Sequence, residues 1–203
     1  MDEMKNTVFL CGRALDEPIF SHENHAEQFY RFPLSVKRLS GQTDELNILA
    51  TREQFSPLLP IRGQKLQIEG PLRSFNNKSG EGSRLVISVL CRSLESSNQA
   101  DSNYVQLSGI ICKPPILRRT PLGRCICDVM LAVNRRYGRS DYLPCIAWGQ
   151  VAAMVGDMTV GTPLSVTGRF QSRTYTKQLD GRSELRTAFE ISIMQLELFS
   201  GEG

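Results

Sequence analysis

Asp141-Tyr142-Leu143-Pro144-Cys145-Ile146-Ala147-Trp148 places apolar Leu143, Cys145 and Ala147 at every second position. A period of two marks a strand with one buried face. The pattern already stands at an offset of 97, in Asp44-Glu45-Leu46-Asn47-Ile48-Leu49-Ala50-Thr51. Outward from this pair the matching continues. Val8-Phe9-Leu10-Cys11-Gly12 matches Val105-Gln106-Leu107-Ser108-Gly109, and Pro18 matches Pro115. Phe32, Leu34, Val36 and Arg38 match Val129, Leu131, Val133 and Arg135. Gly63, Leu66, Ile68 and Gly70 match Gly161, Leu164, Val166 and Gly168 at an offset of 98. Ile87-Ser88-Val89 matches Ile191-Ser192-Ile193 at 104, so the second copy carries about six extra residues before its last strand. The chain is an internal repeat.

The second copy reads as strands near 104–112, 125–135, 141–148, 163–175 and 187–199, with a short Ala-rich helix at Gln150–Val155. In the first copy Pro57 limits the equivalent helix. Five strands with a helix between the third and fourth is the OB-fold plan, a small barrel that commonly binds oligonucleotides. The expected architecture is all-β: two tandem OB-fold barrels, 1–96 and 104–199, joined by a polar linker at 97–103.

The formal net charge is +3. Residues 1–100 hold 12 basic and 12 acidic side chains, whereas 101–203 hold 12 and 9, so the excess lies in the second copy. That asymmetry points weakly to a phosphate-bearing partner. The six cysteines form no C-x-x-C pair, and four lie in apolar runs, as small core residues do. No run of 18 apolar residues and no signal-peptide pattern occurs, which gives the expectation of a cytoplasmic protein without a membrane segment.

Alternation assigns the faces. With Leu143, Cys145 and Ala147 inward, Tyr142, Pro144, Ile146 and Trp148 point out; the first copy has Glu45, Asn47, Leu49 and Thr51 there. In the fourth strand Arg169, Gln171, Arg173 and Tyr175 point out if no bulge intervenes. Tyr137 sits with Arg135, Arg136 and Arg139 on the loop after strand two, and Lys177 follows on the hairpin. Unstacked bases need this chemistry: aromatic faces to stack on and guanidiniums for phosphate. The candidate DNA-binding set is therefore Tyr137, Tyr142, Trp148, Arg169, Arg173, Tyr175, Arg135, Arg136 and Lys177, with Phe75 and Arg73 from the first copy. Exposed aromatics on a barrel also serve subunit contacts, which leaves that alternative open.

Tyr142 to Ala152, and Gly168 to Tyr175 followed by Asp180-Gly181, resemble the bacterial single-stranded DNA-binding protein family, including its two-OB-fold form. The resemblance covers roughly 104–198, with a weaker echo over 6–95. It implies base stacking at Tyr137, Tyr142, Trp148 and Tyr175. The first copy has Ser40, Glu45, Thr51 and Asn77 at those places, which predicts weak binding and a supporting role. Two barrels in one chain imply a homodimer with four barrels. The family's acidic tail has no counterpart after Phe199-Ser-Gly-Glu-Gly203, which shifts the expectation towards the primosomal replication protein n type. The implied partners are single-stranded DNA and replication proteins, at the nucleoid of a bacterium or on a mobile element.

Catalysis is not expected. His22 and His25 share a polar loop without a third ligand, and no G-x-x-x-x-G-K-[ST] or G-x-S-x-G motif occurs. No metal and no cofactor is implied.

Overall fold

The period-two runs become strands. The computed structural model describes residues 5–55, 58–77, 85–135, 138–179 and 182–198. The first repeat contains β1 (Asn6–Ala14), β2 (Ile19–Asn24), β3 (Glu27–Lys37), β4 (Thr43–Thr51), α1 (Arg52–Phe55), β5 (Lys65–Gly70), β6 (Leu72–Asn76), β7 (Leu85–Leu90) and β8 (Ser93–Ser96). The second contains β9 (Ser102–Ile111), β10 (Ile116–Arg119), β11 (Cys125–Asn134), β12 (Ser140–Trp148), α2 (Gly149–Gly156), β13 (Pro163–Leu179) and β14 (Arg182–Leu198).

Each repeat closes on itself. In the first, β1 pairs antiparallel with β3 and β5, β3 with β4, and β6 with β7, while β4 and β7 run parallel. In the second, β9 pairs with β11 and β13, β11 with β12, and β12 runs parallel to β14. One parallel pair in an otherwise antiparallel ring of five is the OB barrel. Both repeats have it, so the protein is all-β with two OB folds. The inward residues fill the barrels: Leu46, Ile48 and Ala50 in one, Leu143, Cys145 and Ala147 in the other are all buried.

The repeated glycines mark where strands pass closest. A β-carbon on Gly70 would collide with the Leu90 carbonyl oxygen, and one on Gly168 with that of Ser192. Backbone cannot yield as a flexible side chain does. Gly168→Ala is therefore expected to destabilise the protein by about 1–3 kcal/mol. A denaturation midpoint equal to wild type would show that the strands have room to part.

The chain packs as two compact units. One comprises Tyr104–Phe170 with 5–7 and 190–198; the other comprises Val8–Asn103 together with Gln171–Phe189. The tip of the β13–β14 hairpin is thus second-repeat sequence within the first repeat's unit. Ser172 fastens it there: its N–H donates to Asp44 Oδ1 at 2.9 Å, and the Glu45 N–H donates to its Oγ at 3.0 Å.

Several expectations need correction. β10 is a strand that the sequence reading did not include. His22 lies on β2 and stacks on Phe29 at 4.9 Å; His25 and Ala26, with φ of 51° and 61°, form the turn into β3. The outward positions Leu49 and Ile146 are buried. They match each other, and each sits where its strand meets the parallel partner, at Leu49↔Leu90 and Ile146↔Ser192. Flanked on both sides, they are covered by cross-strand neighbours. Thr51 is buried at the start of α1, where Gln54 Oε1 reaches back to accept its N–H and its hydroxyl, both at 2.6 Å. Gln171 is buried beside the Ser172 latch.

The polar stretch between the repeats is held at Asp101. Its carboxylate pairs with the Lys65 ammonium and accepts the Lys37 N–H at 2.6 Å. Burial works against the charge, but these hydrogen bonds outweigh it and hold the Asp101 pKa below the usual carboxylate value. A depressed pKa contributes stability above the unfolded value, about 3.9, and loses it as pH falls through the folded one. Asp101→Asn is accordingly expected to unfold more readily than wild type at pH 7. The gap should narrow as pH falls below about 3.9 and the carboxylate takes up its proton; a gap that keeps its size into strong acid would contradict the ion pair's part in it.

Burial drives the Cys91 thiol up to about 12 and the Cys145 thiol higher still, so both are core groups rather than nucleophiles. Among the described residues no helix is long and apolar enough to cross a membrane.

Candidate nucleic-acid interface

β12 positions the centre of the site. Its outward face carries Tyr142, 52% exposed, and Trp148, 39% exposed. Six residues of strand separate them by about 20 Å, which leaves room for several stacked bases. β11 and β10 extend this face sideways: Trp148 stands opposite Ile126, and Ile126 opposite Arg118. Arg118 reaches diagonally to Asp128 with two hydrogen bonds of 2.6 and 3.0 Å. The Asp128 carboxylate holds the Arg118 proton more firmly than usual, and Arg118 in turn neutralises the acid on this face. Arg119, also on β10, is exposed.

Trp148 breaks a local rule. It occupies the N-cap of α2 and makes no side-chain cap hydrogen bond. At the matching start of α1, Gln54 Oε1 accepts the Thr51 N–H and hydroxyl, whereas Val151 stands at the Gln54 place in the second repeat. Losing a cap typically costs about 1 kcal/mol. A half-exposed indole at a helix start is a local inconsistency of the kind found at functional positions.

The other sequence candidates fall in three groups. Arg136 and Tyr137 lie outside the described residues. Arg135 forks onto Asp141, its Nε donating at 2.6 Å and a terminal nitrogen bonding the second oxygen, and Asp141 is fully buried. Arg38 and Asp44 make the same fork in the first repeat, with Nε–Oδ2 at 2.7 Å. Arg135 thus clamps a turn. The repeat itself carries that signal: a pair kept in both copies, one of which lacks the aromatics, serves the fold. Arg169 is half-buried in the unit of Trp148, and its covered Nε has no hydrogen-bond partner.

Arg173, Tyr175 and Lys177 belong to the other unit, on the hairpin. The Arg173 guanidinium stands 5.6 Å from the Tyr175 ring centroid. Phe75, 39% exposed, and half-buried Arg73 belong to that unit as well; an Arg73 terminal nitrogen donates to the Leu72 carbonyl at 3.1 Å. Sequence reasoning had gathered Arg173 and Tyr175 onto the second barrel's face with Trp148, and had given Phe75 and Arg73 to the first copy. It also missed β10 with Arg118 and Arg119, because the four residues Ile116–Arg119 are too short a strand to show a period.

Known proteins resemble the chain at this site. Residues 102–199 match the model of the Single-strand binding protein family. Single-stranded DNA-binding protein A of Bacillus subtilis is 32% identical over 108 residues, covering 50% of this chain and 63% of that protein. The single-stranded DNA-binding protein of Enterococcus faecalis is 36% identical over 83 residues, covering 37% of this chain and 44% of that protein. The chain thus spans less than two thirds of the length of these curated relatives. Among solved structures, wild-type single-stranded DNA binding protein from Thermus aquaticus superimposes with a TM-score of 0.76 at 22% identity, covering 98% of this chain and 95% of that one. That likeness extends the shared fold across both repeats. The family match thus falls on the second repeat, residues 102–199, a little under half of the chain.

Proposed function

We propose that this chain binds single-stranded DNA with little sequence preference, as a non-catalytic strand coat in replication, recombination or repair. The observation that carries the reading is Trp148, half-exposed on β12 in place of a helix cap and in line with exposed Tyr142. Every base has a π-face, so stacking is tolerant of sequence. The family of residues 102–199 and the names of its relatives support the same reading. On this view the second repeat, 104–199, is the main binding domain, the partner is single-stranded DNA, and two chains supply four barrels. The cell compartment is then that of the DNA.

The rival is an assembly module that uses the same aromatic face for a protein partner. Anisotropy titrations with a labelled oligo-dT and with a duplex of equal length separate the two. The proposal requires clear preference for the single strand. Equal affinity, or none, together with loss of self-association in Trp148→Ala, would favour the rival.

A further inference from the structure

The first repeat lacks the aromatics of the second, yet its compact unit includes Gln171–Phe189 from the second repeat. We propose that this hairpin completes a second seat for single-stranded DNA on the first repeat, lending it groups that its own sequence lacks. The proposal rests on the single-strand reading above and extends it to a different surface.

Three observations support it. First, the hairpin is fixed in place. Ser172 is bonded to Asp44 and to the Glu45 N–H, and Asp44 is itself held by the Arg38 fork. Glu45 is the position that matches Tyr142, so the hairpin arrives where the first repeat has no aromatic. Second, a groove of about 710 Å³ opens beside this latch, bounded by Arg31, Asn47 and Val86 on one side and by Arg173, Thr187 and Phe189 on the other. It shares Arg31, Pro33, Asn47 and Val86 with a wider cleft of about 1550 Å³ that contains the exposed Phe75. A continuous path thus runs across the first repeat's outer face. Third, the charge of the narrower groove suits a polyanion, while the wider cleft sets Arg31 and Arg62 against Asp16 and Glu17. Arg31, Arg173 and Arg186 line the narrower groove against a single acid, Glu45. Arg186 is engaged by Glu184 at 2.8 Å. Arg31 is exposed, lines both clefts, and makes no side-chain hydrogen bond or ion pair among the described residues.

Guanidiniums meet phosphates, and Phe189 in the narrower groove and Phe75 in the wider cleft offer rings to bases. The groove is polar and arginine-lined rather than apolar, which favours a nucleic-acid strand over a protein surface.

The test uses the full chain, wild type and Arg31→Glu. Short oligo-dT is followed through Trp148 fluorescence, and long oligo-dT gives the number of nucleotides occluded per chain. Arg31→Glu should leave the short-oligo Kd within about twofold of wild type, because Trp148 lies in the other unit. The occluded length should shrink by roughly 4–16 nucleotides, the span of one OB fold. Wild type is also cross-linked to an oligonucleotide carrying 5-iodo-deoxyuridine. Adducts on Phe189 or Phe75 are expected. Unchanged occluded length in a folded variant, or adducts confined to 104–170, overturns the proposal. Adducts in the groove without any Trp148 response would sink the second-repeat reading instead and leave this one standing.

Discussion

Trp148→Thr, which installs the first repeat's residue at the matching place, should lower affinity for single-stranded DNA by about 5- to 150-fold. The range corresponds to about 1–3 kcal/mol for one base stacked on one aromatic ring. Threonine is the informative choice because it separates binding from folding. Trp148 is exposed and leaves α2 without a side-chain cap, and threonine is among the residues favoured at that position. Thermal stability should therefore hold while affinity falls. Trp148→Phe keeps a stacking face and should recover most of the loss. Affinity at the wild-type level in the threonine variant would mean that DNA does not stack on this residue. A fall in stability equal to the fall in binding energy would mean that Trp148 acts through the fold.

The second large effect is that of salt. Phosphate contacts release counterions, and on single strands log K falls with log salt at a slope of about −0.7 per contact. Three to five contacts per chain then give a fall of about 20- to 130-fold between 50 and 200 mM salt. Arg119 on β10 and Arg139 before β12 are exposed in the unit of Trp148 and are the candidates for these contacts. Replacing Arg119 with alanine should make the slope shallower by about 0.7 and weaken binding to every sequence alike. A flat salt profile would leave stacking alone as the source of affinity.

Much of the fold could be read from period and repeat. Inward Leu46, Ile48 and Ala50 and their counterparts Leu143, Cys145 and Ala147 are buried as their spacing requires. The helix expected at Gln150–Val155 is α2, Gly149–Gly156. Side-chain alternation reports which face of a strand is covered by its own barrel. It does not report what covers the other face. Leu49 and Ile146 were misread for that reason, being screened by flanking strands that sequence spacing does not reveal.

The site was legible where it depends on one strand and illegible where it depends on tertiary placement. Tyr142 and Trp148 share β12 and fall on its outward face, as alternation implies. Arg173 and Tyr175 follow the same alternation along β13, but the compact unit of Trp148 ends at Phe170. No local pattern announces that a hairpin packs with another repeat. The deciding contact is Ser172 with Asp44, 128 residues apart in sequence. Arg135 was readable after all, since the Arg38–Asp44 pair repeats it where no binding aromatics stand.

Trp148 is the single tryptophan of the chain, so it reports on its own position. Titrating unlabelled oligo-dT into the full protein at low salt should quench its fluorescence in a saturable curve, and raising the salt should reverse it. A Trp148 signal that stays constant while an independent probe detects bound oligo-dT would place the DNA elsewhere and contradict the account.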